Sequence, residues 1–374
     1  MKIAYVIGGL PFGGVERWLL DLLLEYRRYP EMSFRVFNLS GTGVMASAYR
    51  ETGFEVVDIV PGSKSAINTH RFDTTLKLRK ALRAFQPDLI HTMHYSANYH
   101  GRLAAIGMKV PVLTHLRNIK HERSLSRRFH DKALSYLTDA YLAVSKAVAE
   151  VIEQDHNLAK RPVKVLYNAL DPARLEVEPL DLQSEFGIAG PYVIAVGRYV
   201  RQKNFDLLLQ ALAVMRERGC KASLVLVGDG TDRNKLEGLC DQLGLRSQVV
   251  FTGFRPDVAA FLRAADIFAL APQYEGFLIA HLEAMYCGLP AVLTACVPSL
   301  EIASEAALVC EPNPEDIADK LMRLLGDKEL YSKLSANARA VAETLTMEKY
   351  AAKLLRLYQA MLTGEDIAGM NFDQ

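Results

Sequence analysis

The chain has few cysteines, no long hydrophobic run and almost no net charge, and each shortage removes a class of protein. Its five cysteines, Cys220, Cys240, Cys287, Cys296 and Cys310, are odd in number, widely spaced and confined to the second half. No Cys-x-x-Cys pair or Cys/His cluster has zinc-ligand spacing, so neither a disulfide framework nor a structural metal is expected. No stretch approaches about 18 uninterrupted apolar residues, so no membrane-spanning helix is expected. The apolar run at the start breaks at Gly8-Gly9 and Pro11, which reads as a strand entering a turn and not as a signal peptide. Lys plus Arg number 44 against 43 Asp plus Glu, which leaves no overall charge with which to hold nucleic acid. The balance is uneven along the chain: residues 1–150 carry 21 basic and 13 acidic side chains, the rest 23 and 30. The front half therefore has the electrostatics to attract an anionic partner.

What is present points to two domains. The 374 residues, half of them hydrophobic, suffice for two cores at about 150 residues per domain. Short β-rich runs alternate with helical patterns, the mark of a parallel sheet covered on both faces. In the first half the expected strands are 3–7, 34–38, 55–59, 89–91, 110–114, 140–144 and 163–167. A second series follows at 192–196, 223–227, 249–252, 267–270, 291–294 and 307–310. The stretch 176–191 is rich in acidic residues, Gly and Pro without a clear period, which marks a boundary. Near the end, Tyr350, Leu354, Leu357, Tyr358 and Met361 fall on one face of a helix over 347–362.

Two phosphate motifs fail at the first turn. Gly8-Gly9-Leu10-Pro11-Phe12-Gly13-Gly14 lacks the Lys-Ser/Thr of a P-loop. It also misses the Gly-x-Gly-x-x-Gly spacing, and the second strand ends without the acid that holds an NAD ribose. A glycine pair before a helix still lets backbone N–H groups approach a ligand, and a ligand-free tight turn explains Gly13 and Gly14 equally well. The second half is more informative. Glu275 and Glu283 stand eight apart around Gly276, one in the loop after a strand and one a turn or more into the next helix. Arg198 and Lys203 follow the strand 192–196 at the mouth of the same expected sheet edge. Two cations opposite a helix N-terminus would make a diphosphate clamp. Taken singly, each of these residues is an ordinary surface charge.

The ordered set carries more. Gly197-Arg198 with Lys203, Val227-Gly228-Asp229-Gly230, Gly253-Phe254, Ala265-Asp266, Glu275-Gly276-Phe277 with Glu283, and Cys287-Gly288-Leu289-Pro290 resemble the nucleotide-sugar half of the family 4 glycosyltransferases. Gly13-Gly14-Val15-Glu16, Pro87-Asp88-Leu89-Ile90-His91 and Val144-Ser145 extend the resemblance over the first half. It implies an α/β GT-B architecture: two Rossmann-like doubly wound domains facing across a cleft, 1–183 and 184–345, with the segment 346–374 crossing back onto the first. It implies retaining transfer from a nucleotide diphosphate sugar, UDP ahead of GDP, to a glycan or lipid-linked acceptor in surface polysaccharide or glycolipid synthesis. Such an enzyme needs no cofactor, and, with no Asp-x-Asp in the chain, no metal. It would be cytoplasmic, at the inner face of the membrane.

The resemblance also implies roles. Arg198 and Lys203 would hold the diphosphate, Glu283 the ribose hydroxyls, and Glu275 would sit beside the donor sugar. Backbone from Gly276 and Phe277 through Leu278 to Ile279 would touch sugar and phosphate. Gly253, Phe254 and Arg255 belong to the loop lining the base pocket, and Gly13 and Gly14 would approach the diphosphate from the other domain. A histidine facing the donor sugar would be His115, with His91 and His94 as competitors. Leu278 stands where the family commonly has Gly or Pro, and Ala169 follows Asn168 where Gly is usual. Two other readings compete. A GT-B-like epimerase or hydrolase calls for differently arranged acids, and a non-catalytic nucleotide-sugar-binding protein has no need of this intact set.

The first-half basic excess concentrates at Arg117, Lys120, Arg123, Arg127 and Arg128. Such a cluster suits a phosphate-bearing acceptor or an anionic membrane surface. The favoured alternative is an amphipathic helix with Leu125, Phe129, Ala133 and Leu137 buried and the charges solvated.

Overall fold

The computed structural model describes residues 1–119 and 125–372, and only the backbone of 125–128. It divides into two compact units, Met1–Ala169 with Met347–Gln374, and Leu170–Thr346. Residues 170–183, counted with the first half on sequence grounds, bond within the second unit: Leu170 N–H donates to Leu345 O, and Leu180 N–H to Ala260 O.

The first unit holds seven parallel strands: β1 (Lys2–Ile7), β2 (Ser33–Asn38), β3 (Val56–Asp58), β4 (Leu89–Met93), β5 (Val112–Leu116), β6 (Ala140–Ala143) and β7 (Val163–Val165), in the order β3-β2-β1-β4-β5-β6-β7. The second holds six: β8 (Tyr192–Val196), β9 (Ser223–Val227), β10 (Val249–Phe251), β11 (Ile267–Leu270), β12 (Ala291–Thr294) and β13 (Ala307–Cys310), in the order β10-β9-β8-β11-β12-β13. Strands covered on both faces must be apolar at every position, and Ile3 to Ile7 and Ile267 to Leu270 are accordingly all fully buried. Each sheet is doubly wound, as expected.

Three local expectations change. The stretch 176–191 contains a helix, Leu182–Phe186, whose first turn is held by Asp181 accepting from Ser184 N–H. Five residues are too few to show a period. The helix Leu125–Leu134 does not bury the expected face. Phe129 is 72% exposed and Ala133 exposed, while Asp131 and Leu134 are buried, because Asp131 is drawn inward by Arg102 at 3.0 Å. Finally, β5 runs to Leu116, so His115 lies within a strand and not in a loop beyond it.

The final helix, Met347–Thr363, belongs to the first unit. Its stripe is buried at Tyr350, Leu354, Leu357 and Tyr358. Tyr350 meets Trp18 edge to face at 5.1 Å, and the Tyr358 hydroxyl lies 2.8 Å from that of Tyr5.

Candidate functional site

Doubly wound sheets bind ligands outside the carboxyl ends of the strands, at the point where strand order reverses. In the second unit that point lies between β8 and β11. The chain leaving β8 is Gly197-Arg198, and the chain leaving β11 runs from Ala271 to Leu278, so the fold delivers both expected segments to one edge.

Three glycine turns make its floor. Gly197 N–H donates to Val227 O and Tyr199 N–H to Asp229 O, both at 2.9 Å, and Gly228 N–H donates to Gly253 O at 3.1 Å. A β-carbon on Gly228 would stand 2.0 Å from Gly197 O, at a φ of +140° that favours glycine. Gly228→Ala should therefore displace the Arg198 loop and cost about 3 kcal/mol, checked by urea denaturation.

On this floor the charged residues meet. Lys203 Nζ lies 2.5 Å from Glu275 Oε1, with both side chains nearly buried. Gln202 Nε2 donates to the same oxygen at 3.2 Å and to Tyr274 O at 2.8 Å. Asn204, in the left-handed region at φ 49°, donates from Nδ2 to Ala271 O, and Gln273 N–H donates to Gln202 O. Gln202 and Asn204 thus lash one loop to the other. Both flank Lys203 in sequence, but nothing in their spacing announced the role. Arg198 is exposed, and its guanidinium makes no hydrogen bond or ion pair among the described residues.

The helix Ile279–Tyr286 begins just beyond Glu275 and has no side-chain cap at Leu278. The N–H groups of Ile279 and Ala280 therefore lack intrahelical acceptors, and the dipole there favours an anion. Phe277 and Leu278 are buried and hold the loop from Gly276 onward. Glu283 sits in the second turn, 3.6 Å from Arg174, a neighbour not foreseen. Gly253 takes a φ of +69°, and Phe254 after it is half exposed. Arg255 is occupied: its fork holds Asp257 at 2.8 and 2.7 Å, and Glu185 at 2.9 Å.

In the first unit the strand order reverses between β1 and β4. Gly13 precedes the helix Gly14–Glu25, where a β-carbon would stand 2.5 Å from Glu16 Oε2. That atom is the movable end of a side chain and Gly13 lies in extended backbone, so neither fact requires glycine there. His94 lies 4.0 Å from Glu16. His115 is fully buried, and its Nδ1 lies 3.1 Å from His91 Nε2, whose Nδ1 lies 2.6 Å from the Tyr358 hydroxyl. Burial pushes the His91 imidazole down to about 3, with the Arg117 charge adding to it. Burial likewise holds His115 well below the ordinary histidine range. Both rings are neutral at physiological pH.

Arg117 is not the exposed anion contact expected. Its guanidinium packs 3.9 Å over the Trp18 ring, and Nη2 donates to Asn168 Oδ1 at 2.5 Å. Burial pushes it down to about 10, which leaves it charged at neutral pH. Lys120 and Arg123 lie outside the described residues, as do the side chains of Arg127 and Arg128. Among the described residues no group of His, Cys, Asp or Glu is placed to hold a metal ion, and no helix is long and apolar enough to cross a membrane.

The model of glycosyl transferases group 1 matches residues 183–341, and that of glycosyltransferase family 4 matches 12–174. Between them they take in most of the chain. It belongs to this glycosyltransferase family. An uncharacterised glycosyltransferase of Methanocaldococcus jannaschii is 30% identical over 60% of this chain and 61% of its own length, so the match spans less than two thirds of that relative. The mannosylfructose-phosphate synthase of Agrobacterium fabrum is 26% identical over 79% of this chain and 68% of its own. The lipopolysaccharide core biosynthesis glycosyltransferase LpsD of Rhizobium meliloti is 26% identical over 93% and 95%. Among solved structures, Anabaena HepE in complex with UDP and glucose superposes with a TM-score of 0.84 at 21% identity, over 96% of this chain and all of that one. Likeness at that identity establishes the fold of this glycosyltransferase, which is GT-B.

Proposed function

We propose that this glycosyltransferase moves a sugar, with retention at the anomeric carbon, from a nucleotide diphosphate sugar to a glycan or lipid-linked acceptor. UDP is the favoured nucleotide, and surface polysaccharide or glycolipid synthesis at the inner membrane face the favoured setting. The observation that carries the reading is the meeting, at one sheet edge, of an unengaged Arg198, the Lys203–Glu275 pair and an uncapped helix start. A departing nucleotide diphosphate needs its charge neutralised in the transition state. Two cations and a helix N-terminus supply that without a metal or a cofactor. Glu275, fixed by Lys203 and Gln202, would sit beside the sugar, and Glu283 would take the ribose hydroxyls. In the retaining reaction the departing phosphate takes the acceptor's proton as the new bond forms on the same face. The UDP and glucose held by HepE and the name of LpsD support the donor and the setting.

The test is a panel of nucleotide sugars screened by thermal stabilisation, then incubated with and without acceptor glycans. Nucleotide release that requires acceptor supports transfer. Release without acceptor favours the hydrolase or epimerase reading, and binding without turnover the non-catalytic one. Arg198→Ala should raise the Kd for UDP about 10- to 100-fold, the worth of a charge-assisted contact, measured by calorimetry. An unchanged Kd would remove Arg198 from the clamp.

A further inference from the structure

The segment that opens the second unit lies along the helix that carries Glu283. Its two ends are fixed to that unit, Leu170 N–H donating to Leu345 O at 3.0 Å and Leu180 N–H to Ala260 O at 3.1 Å. Between them Asp171 accepts from Ala173 N–H at 3.1 Å and starts the turn Pro172–Arg174. Leu175 is buried. The Glu176 carboxylate then accepts from the Tyr286 hydroxyl at 2.9 Å, and Arg263 Nε donates to Val177 O at 3.3 Å. Tyr286 is held in turn by Arg339, whose guanidinium packs 4.0 Å over its ring and donates from Nη1 to its carbonyl oxygen. Arg174 therefore stands on a turn pinned on both sides.

From that turn the guanidinium reaches Glu283, three residues before Tyr286 and on the same helix face. Arg174 Nη2 lies 3.6 Å from Glu283 Oε1, and the Glu283 side chain is only 14% exposed. At 3.6 Å the pair is beyond hydrogen-bond reach, unlike Lys203 at 2.5 Å from Glu275. Arg174 thus turns the carboxylate by charge and does not fill Oε1 with an N–H. That difference suits a carboxylate with a further task. A vicinal diol offers two O–H donors, and a carboxylate takes both only when its two oxygens are turned toward them. A free glutamate side chain would lose rotamer freedom on binding, whereas one already oriented by a fixed cation loses less.

We infer that Arg174 is a positioning residue for the Glu283 carboxylate, and that through this pair the site prefers ribonucleotides to deoxyribonucleotides. The inference rests on the reading in which Glu283 takes the ribose hydroxyls. Arg174 acts only through Glu283, so its removal weakens the nucleotide that carries the diol and spares the one that lacks it.

The experiment measures by calorimetry the Kd of UDP and of 2′-deoxy-UDP for the full-length protein, with GDP and 2′-deoxy-GDP as the pair should uridine nucleotides not bind. The wild type should bind the ribonucleotide about tenfold or more tightly, the worth of one hydrogen bond to a charged group. Glu283→Ala should bring that ratio to within about twofold of one. Arg174→Gln should lower the ratio roughly threefold or more, with the deoxyribonucleotide Kd moved by less than about twofold. Arg174→Lys keeps a cation and should hold the ratio near the wild-type value. Arg174→Met removes the charge by another route and covers the case of a poorly folding Gln variant. A purely structural role for Arg174 weakens both nucleotides alike, so a ratio unchanged in Arg174→Gln and Arg174→Met but lost in Glu283→Ala overturns this proposal alone. If neither pair binds, if the wild type shows no preference, or if Glu283→Ala keeps it, the ribose reading of Glu283 falls and the proposal with it.

Discussion

Lys203→Ala should lower turnover of the nucleotide sugar at least a hundredfold, with a smaller loss of folding stability. The stability loss arises because Glu275, 8% exposed, keeps only Gln202 as a side-chain partner among the described residues once the ammonium 2.5 Å away is gone. Breaking a nearly buried pair by deleting one member leaves an uncompensated charge. The catalytic loss has a different origin, since the same ammonium would neutralise the diphosphate as it departs, and an interaction strengthened in the transition state lowers turnover when removed. A Lys203→Met/Glu275→Gln double variant separates the two effects. It removes both charges together, so its Tm should return toward the wild-type value while turnover stays low. If turnover recovered with stability, Lys203 would be a structural residue and the clamp would lose its second cation. Steady-state kinetics and thermal unfolding on the four proteins of the cycle decide it.

Why so much of this fold was legible follows from how parallel sheets bury. Tyr192–Val196, Ser223–Val227, Ile267–Leu270, Ala291–Thr294 and Ala307–Cys310 coincide with the expected strands because both faces are covered and the apolar run ends where the strand ends. Polar strand ends were harder. At β5 the expected strand stopped at Thr114, and the observed one carries His115 and Leu116, since a histidine bonded to another histidine is as much at home in the sheet as a leucine. The helix Leu125–Leu134 failed for a related reason. Hydrophobic periodicity assigned its inward face to Phe129 and Ala133, but a buried Arg102–Asp131–His156 network turns the helix another way, and ion pairs leave no periodic trace.

The candidate site divides on the same line. Arg198, Lys203, Glu275 and Glu283 were legible as an ordered set, and the switch point of the second sheet brings their segments to one edge. Their partners were not legible. Lys203 meeting Glu275, Gln202 tying two loops and Arg174 beside Glu283 are contacts between residues far apart in sequence. Arg117 is the clearest case: its neighbours in the chain made it look like one of a row of surface cations, and the ring of a tryptophan near the N-terminus covers its guanidinium and leaves the residue half-buried. A single sequence reports side-chain type at each position but not the ring that will cover it.

Ending the chain at Thr346 should unfold the first unit altogether, although nothing is removed from its sheet. The helix Met347–Thr363 buries Leu354 and Leu357 completely, worth about 3–6 kcal/mol together. Tyr350 and Tyr358 add two aromatic side chains, and their loss uncovers Trp18 and the hydroxyl of Tyr5. It also leaves His91 Nδ1 without the Tyr358 hydroxyl inside a fully buried strand, a further penalty of about 1–3 kcal/mol. The sum rivals the roughly 5–15 kcal/mol by which whole domains are stable. Amide exchange should show protection lost over β1, β4 and β5 and kept in β8, β9 and β11 of the second unit. Tyr358→Phe isolates the polar part: it retains the ring and removes the hydroxyl, so it should cost only about 1–3 kcal/mol and free the His91 tautomer, visible as altered ¹⁵N shifts of His91 and His115. Unchanged protection of β1 and β4 in the truncated chain would show that the first sheet is held without its returning helix.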